Sequence, residues 1–462
     1  MSDQEYVISP DDLEIALSAD NKVKVSGADI DGLSRGKFMA KSKFLKSIEG
    51  GFGFCNVVFG WDMLDKVYDV KEDTDTGFSD IAAHIDLSTF RRIPWENNAP
   101  FFLVDFYNPI TNKPFELCPR GLLKRIVHQC NELGFKPMCG MEFEWYNFRE
   151  TPDSLAQKKG VGLTPLTRGM FGYSLLRPAL NQEFFDGLFE ELRNFDVPLE
   201  ALHTETGPGV FEAAIEYSDA LRTADRAHLF KTSVKQLALK HGIISTFMAK
   251  PWPDLPGCSG HIHFSLSNIT TKENAFANKE GGEGMNSISD TMRHFIAGVL
   301  EGLPSIMPFL APTINSYKRL VENYWAPVTV SYGFENRTAA LRIIAPPTCP
   351  PKGTRIEVRV PGNDVNPYLA VSAILASGIY GVKHKLEPRI PPAEGNVVSQ
   401  GGARLARDLR EATETMMAKD SFARKVLGHA IVDHFGATRL HEWKQWETAV
   451  TDWELKRYVE TV

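Results

Sequence analysis

Residues 140–148 read GMEFEWYNF, with Glu142 and Glu144 alternating with Met141, Phe143 and Trp145. A period of two marks a β-strand and puts both carboxylates on one face, about 6–7 Å apart. The pattern recurs. In GHIHFSL (260–266), His261, His263 and Ser265 oppose Ile262, Phe264 and Leu266. In TRIEVRV (354–360), Arg355, Glu357 and Arg359 oppose Ile356, Val358 and Val360. In FEAAIEY (211–217), Glu212, Ala214 and Glu216 oppose Phe211, Ala213, Ile215 and Tyr217, and Glu205 stands upstream on the Gly/Pro loop TETGPGVFE.

Any one of these reads as a strand with one wet face. Taken together they do not, because the polar faces carry carboxylates, imidazoles and guanidiniums and no lysine. Carboxylate with imidazole suits a divalent cation such as Mg²⁺ or Mn²⁺. Carboxylates around a cavity repel unless cations sit between them. Arginine grips phosphate or carboxylate through paired N–H groups. Arg319 in SYKRLVENYWAP and Arg337 and Arg342 in FENRTAALRII add a second cluster beside Pro- and Gly-rich loops. The combination implies phosphoryl transfer from ATP, with metals bridging the phosphates and arginines neutralising the transferred group.

The elements that must position these residues are partly legible. A chain of 462 residues is long enough for two to four domains by length alone. Strand-like runs (Lys22–Val25, Cys55–Phe59, Phe101–Val104) fill residues 1–117, and the turn FYNPITNKP at 106–114 closes that region. PRGLLKRIVHQCNELGF then opens a helix at Pro119, with Leu122, Leu123, Ile126, Val127, Cys130 and Leu133 at helical spacing and Gly134 as its stop. A second helix follows Ser218, the expected cap, and ends at Gly242. GNVVSQGGARLARD near 395–408 reads as a loop entering a helix. The expected organisation is a domain over 1–117 and one large α+β domain over 118–462.

Several classes are excluded. The net charge is -7 and no basic run stands out, so nucleic acid is not an expected partner. The N-terminus lacks a basic stretch followed by an apolar one, and no apolar run of about 18 residues appears. No membrane span is expected, and a cytoplasmic location is. Six cysteines without a CxxC pair read as free thiols. GLSRGK (32–37) is not a phosphate loop, because three residues separate its glycines and Phe38 follows the lysine.

Over nearly its whole length the sequence resembles the glutamine synthetase superfamily, class I type. The resemblance is carried by EFEWY, TETGPGVFE, FMAKPWPDLPGCSGHIHFSL (247–266), RIEVRVPGNDVNPYLA (355–370) and DIDGLSRGK. It implies a small N-terminal β-grasp domain and a catalytic domain with a curved antiparallel sheet and surrounding helices. It implies one metal among Glu144, Glu205 and Glu212 and another among Glu142, His261 and Glu357. Ser265, Lys352 and Arg355 would contact ATP, and Arg337 and Arg342 would stabilise the phosphoryl group in flight. Arg319 would bind the α-carboxylate of glutamate and Arg359 its side-chain carboxylate, with Gly257 and His263 lining that pocket. Active sites would lie between subunits of a homo-oligomer of stacked rings, most commonly a dodecamer.

The sequence also departs from the family. Ammonia-using members carry Glu in the flap six residues after the substrate arginine; here that position is Trp325. The Asn before the pocket glycine is Pro256. Asp62, with Asp65 behind it, is the candidate for the acid that the first domain lends to the neighbouring site. No Tyr stands in the loop at 385–403, where bacterial members are adenylylated. These changes resemble relatives that join glutamate to amines larger than ammonia, such as γ-glutamyl-polyamine ligases. The alternatives are a true glutamine synthetase and a catalytically silent structural relative, although in the latter ligand residues decay. Glu216, His203, Cys258 and Tyr146 are read as packing or wall residues.

Overall fold

The computed structural model describes residues 8–68, 77–278, 280–282, 284–322, 324–399 and 402–462. The first seven residues, and Gln400 and Gly401 of the 395–408 loop, lie outside that range. Among the described residues, two sheets divide the strands in chain order. The smaller holds β1 (Lys22–Ala28), β2 (Ser34–Ala40), β3 (Phe52–Cys55), β4 (Asp80–Ile85), β5 (Arg91–Ile93) and β6 (Ala99–Tyr107). Its order is β2-β1-β6-β4-β3, with β5 also on β6 and the central pair β1·β6 parallel, as in a β-grasp sheet.

The larger sheet holds β7 (Phe135–Phe148), β8 (Leu199–Thr204), β9 (Val210–Asp219), β10 (Ile244–Thr246), β11 (Ile262–Asn268), β12 (Tyr332–Phe334), β13 (Leu341–Ile344) and β14 (Arg355–Val358). Its order is β12-β13-β14-β11-β7-β9-β8, with β10 also on β7. All its pairs are antiparallel except β12·β13. Helices cover its apolar face, so the fold is α+β.

The helix Pro119–Glu132 forms as its sequence demands. Cys118 accepts from the Gly121 amide at its start, Pro119 occupies the first turn, and Gly134 follows its end at φ +86°. The central helices Asp290–Leu310 and Pro367–His384 approach so closely that a Cβ on Gly298 or Gly381 would strike the facing backbone.

Two local expectations are corrected. The run Cys55–Phe59 is a strand only at Cys55, and Asn56–Phe59 is a 3₁₀ turn. Its partner β4 begins at Asp80, opposite Cys55, so the ladder runs out and Val58 and Phe59 turn into the core. Ser218 does not cap the helix Ala220–Lys240, because it is still paired in β9 opposite Cys139; Asp219 caps it, accepting from the Arg222 amide at 3.0 Å. GLSRGK is the turn and start of the β1–β2 hairpin, so no helix N-terminus points at a phosphate there. All six cysteines are free. Among the described residues no helix is long and apolar enough to cross a membrane.

Buried polar groups join the two sheets. Arg120 donates to Asp225, Asp105 and Asp86, each at 2.8 Å, and Tyr368 donates to Asp225 at 2.7 Å. Asp86 and Asp105 belong to the small-sheet half, whereas Asp225 and Tyr368 lie on helices behind the large sheet. Removing one partner of a buried ion cluster strands the rest. Arg120→Leu is therefore expected to lower unfolding stability by about 3–5 kcal/mol, read as a lower urea midpoint.

Candidate active site

The sheet register makes the site. Glu142 and Glu144 lie on the half-buried face of β7, and Met141, Phe143 and Trp145 fill the core side. Tyr146 breaks the alternation: it is fully buried against Trp252 and donates to the Pro256 carbonyl, which fixes the loop carrying Gly257. On one side of β7, Glu144 pairs with Glu212 of β9, and Glu212 with His203 of β8. On the other side, His263 of β11 pairs with Glu357 of β14, which pairs with Arg342 of β13. The two rows are offset along β7, because His263 lies opposite Gly140 rather than Glu144, and Glu142 between them reaches back to His263.

The carboxylates on the β11 and β14 side already have basic partners. His263 Nε2 lies 3.1 Å from Glu142, and His261 Nδ1 lies 3.5 Å from Glu142 and 3.3 Å from Glu357. Arg342 Nη1 donates to Glu357 at 3.0 Å, and Arg359 pairs with the other oxygen of Glu357. Burial raises the Glu142 carboxyl, but hydrogen bonds from His261 and His263 outweigh it and hold the group well below its usual range. Burial likewise raises Glu357, but His261, Arg359 and His263 bring it down to about 2.

The other side is short of positive charge. Glu205 and Glu212 gather around His203, at 3.8 and 3.5 Å. Glu144 accepts from the Ser259 amide at 3.0 Å and from its hydroxyl. Burial pushes the Glu144 carboxyl up, with Glu205 adding to the rise. Burial, then Glu144, Glu142 and Glu205, push Glu212 up to about 9. Three acidic side chains in one half-buried space fit a divalent cation, because its charge replaces the protons that burial otherwise retains.

Ligand-type atoms within 4.8 Å of one another form two groups, Glu142–His263–Glu357 and His203–Glu205–Glu212. This differs from the expected sets. His263 stands in the first group with His261 beside it, and His203 takes the place expected of Glu144. The backbone explains both: the Glu142 amide donates to the carbonyl of His261, just before β11, and His263 of β11 reaches Glu142 with its ring, while β8 lays His203 opposite Glu212. Tyr173, on a loop without any sequence signature, stacks on His203 with ring centroids 4.3 Å apart.

Ser265, Lys352 and Arg355 line a cavity of about 510 Å³ that also reaches Glu142, His263 and Glu200. Arg355 donates to His263 Nδ1 at 3.2 Å, leaving Nε2 toward Glu142. Arg337 is exposed and lines a neighbouring cavity of about 700 Å³ with Glu335. Arg342 is held between Glu335 and Glu357. Glu335 went unnoticed in the sequence because no period links it to a strand face. Arg319 is buried against Gly257, where a Cβ would strike its stem at 2.6 Å. Two side chains stand apart from these clusters. Trp325 is 62% exposed on the loop after Arg319, at φ +55°. Asp62 caps its own turn by accepting from the Leu64 and Lys66 amides.

A carboxyl raised by folding stabilises the protein below its unfolded pKa of about 4.3, and that contribution is lost as pH rises toward the folded value. Between pH 5 and pH 8.5 the Glu212 contribution to metal-free stability therefore falls. Mg²⁺ or Mn²⁺ is expected to raise Tm more at pH 8.5 than at pH 5, and Glu212→Gln to flatten that difference. Thermal unfolding with and without chelator measures it.

Comparison with known proteins identifies the family. The family described as glutamine synthetase, catalytic domain, matches residues 116–458. A type-1 glutamine synthetase of Dictyostelium discoideum is 50% identical over 97% of this chain and 85% of its own. A glutamate–isopropylamine ligase of a Pseudomonas species is 35% identical over 95% of both chains. A solved GmaS–ADP complex superposes with a TM-score of 0.82 at 26% identity, over 97% of this chain and 99% of that one. The family's enzymes are ligases that use ATP and divalent metals. With the family matched across most of its length, the chain belongs to the glutamine synthetase family.

Proposed function

We propose that this protein is an ATP-dependent ligase that phosphorylates the γ-carboxylate of glutamate and passes the γ-glutamyl group to an amine larger than ammonia. The observation that carries the acceptor assignment is Trp325, an exposed indole where ammonia-using members place a carboxylate. An indole cannot take a proton from ammonium, but it offers an apolar wall and a π face to an alkylammonium or aromatic amine. The 35% identical glutamate–isopropylamine ligase supports this reading. The 50% identical type-1 glutamine synthetase supports a second one, with ammonia as acceptor.

Glu144, Glu205 and Glu212 with His203, and Glu142, His261 and Glu357 with His263, are the groups that would hold two divalent cations, Mg²⁺ or Mn²⁺. Bound there, such cations neutralise the acidic row and the polyphosphate, so that a carboxylate can approach. Ser265, Lys352 and Arg355 hold the nucleotide. Arg319 binds the α-carboxylate of glutamate beside Gly257, and Arg359 its side-chain carboxylate. A γ-carboxylate oxygen then attacks the terminal phosphorus of ATP, giving an acyl phosphate and ADP. Arg337 and Arg342 offset the charge in flight. The amine nitrogen attacks the acyl carbon, phosphate departs, and the nitrogen gives up its proton.

Residues 1–117 and 118–462 act as two domains; in support, the small sheet ends at Tyr107 and the family match starts at 116. Asp62 is assigned to the neighbouring subunit's site in a cytoplasmic homo-oligomer of stacked rings, most commonly a dodecamer.

ATP consumption with glutamate, screened against ammonia, alkylamines, polyamines and aromatic amines, tests the acceptor. An amine is expected to be preferred; a clear preference for ammonia overturns the reading. No turnover with any acceptor, together with no binding of ATP or metal, marks a silent relative instead. Trp325→Glu is expected to lower kcat/KM for the preferred amine by about 2- to 30-fold, the range of a lost cation–π contact, and to raise it for ammonia. An unchanged acceptor profile removes Trp325 from the site.

A further inference from the structure

The segment PGNDVN (361–366) joins several parts of the molecule. The Gly260 amide donates to the Pro361 carbonyl at 3.0 Å, and the Gly362 amide to the Leu310 carbonyl at 2.9 Å. Asn363 donates to the Glu144 carbonyl at 2.8 Å, and Asn366 to the Asp29 carbonyl at 3.1 Å. Asp364 has a different task. Its Oδ2 accepts from Thr313 at 2.9 Å and from Ser316 at 2.5 Å. Thr313 and Ser316 form the capping box of the short helix Ile314–Arg319. Asp364 therefore grips the start of the helix whose last residue is Arg319.

The other oxygen looks toward Arg319 itself. Asp364 Oδ1 and Arg319 Nε are both buried and without a hydrogen-bond partner among the described residues. They face the same space over Gly362: a Cβ there would overlap Asp364 Oδ1 and lie 3.8 Å from Arg319 Nε. Gly362 does not have a positive φ, so this glycine is needed for room rather than for its backbone. On the far side, Gly257 packs against the Arg319 stem. Nη2 donates to the Val360 carbonyl. A buried guanidinium needs a countercharge. Burial lowers the proton affinity of Arg319, and Asp364 is the strongest charge opposing that effect.

We propose that Asp364 is a positioning residue for glutamate binding. It anchors the helix that carries Arg319 with one oxygen and steadies the guanidinium across the Gly362 space with the other. The inference rests on the reading that Arg319 holds the α-carboxylate of glutamate. A carboxylate on the Nε side keeps the fork turned so that its remaining N–H groups meet the substrate.

Steady-state kinetics with the preferred acceptor saturating, on the full chain, tests it. Asp364→Asn keeps an oxygen for Thr313 and Ser316 but removes the charge. It is expected to raise KM for glutamate about three- to tenfold, through the lost charge facing a guanidinium it does not hydrogen-bond, while KM for ATP stays within about twofold and Tm is little changed. Gly362→Ala fills the space and is expected to shift KM for glutamate in the same direction. Ser316→Ala loosens the anchor alone and is expected to lower Tm and to raise KM for glutamate less than Asp364→Asn does. The proposal is overturned if Asp364→Asn leaves KM for glutamate unchanged, or raises both KM values in step with a fall in Tm. Arg319→Lys separates the two readings. If it too leaves KM for glutamate unchanged, the assignment of Arg319 fails and the inference falls with it; if it raises that KM while Asp364→Asn does not, only the role of Asp364 fails.

Discussion

Glu144 and Glu212 face each other directly across β7 and β9, and Glu205 stands beside them. Like charges opposite one another on paired strands destabilise a sheet, and burial sharpens the conflict. Carboxyl groups in such a space either keep protons or share a cation. The surroundings answer only part of the need. Ser259 donates to Glu144 from its amide and hydroxyl, and His203 reaches both Glu205 and Glu212. What remains is a demand for positive charge, and the rest of the site is arranged around it.

The demand is uneven along the row. Toward β13 and β14 the protein supplies its own partners: His261 and His263 flank Glu142, and the Arg342 and Arg359 guanidiniums hold Glu357. Toward β8 and β9 one imidazole, His203, stands with Glu205 and Glu212, and Glu144 lies opposite Glu212. A charge gradient therefore runs across one sheet face, with a cavity lined by Ser265, Lys352 and Arg355 beside its middle. A site meant to bring one anion to another needs such a gradient, because neither anion could approach a uniformly acidic wall.

The face is held by polar connections through the whole fold. Asn366 reaches the turn after β1, Arg439 pairs with Asp31, and Arg120 joins Asp225 to Asp86 and Asp105. These bonds are buried, so breaking any one strands its partner. They tie the small sheet to helices behind the large one, which keeps the strands bearing the acidic row from shifting against the arginine-bearing loops.

Much of the site was legible locally. The alternation in GMEFEWYNF, GHIHFSL and TRIEVRV named the strand faces, because side chains on a strand must alternate. Where a residue's partner was distant, local reading fell short. The packing role read for Tyr146 has its cause in Trp252, about a hundred residues on in the sequence, which draws that side chain out of the alternation. Cys55–Phe59 looked like a strand, but its partner strand starts too late to pair with it. His203 passed as packing, since nothing near it in the chain announces that β8 lies opposite Glu212. Asp364 sat inside a motif without a visible task. The sequence by itself determined which side chains share a face and what cations and anions such a face would seek, through the period of the strand and the chemistry of the residues. Only the tertiary structure decided which faces adjoin and so which charges are compensated. Glu142 and His263 are 121 residues apart, and no local period sets the register between strands so distant; hydrogen-bond pairing and core packing do.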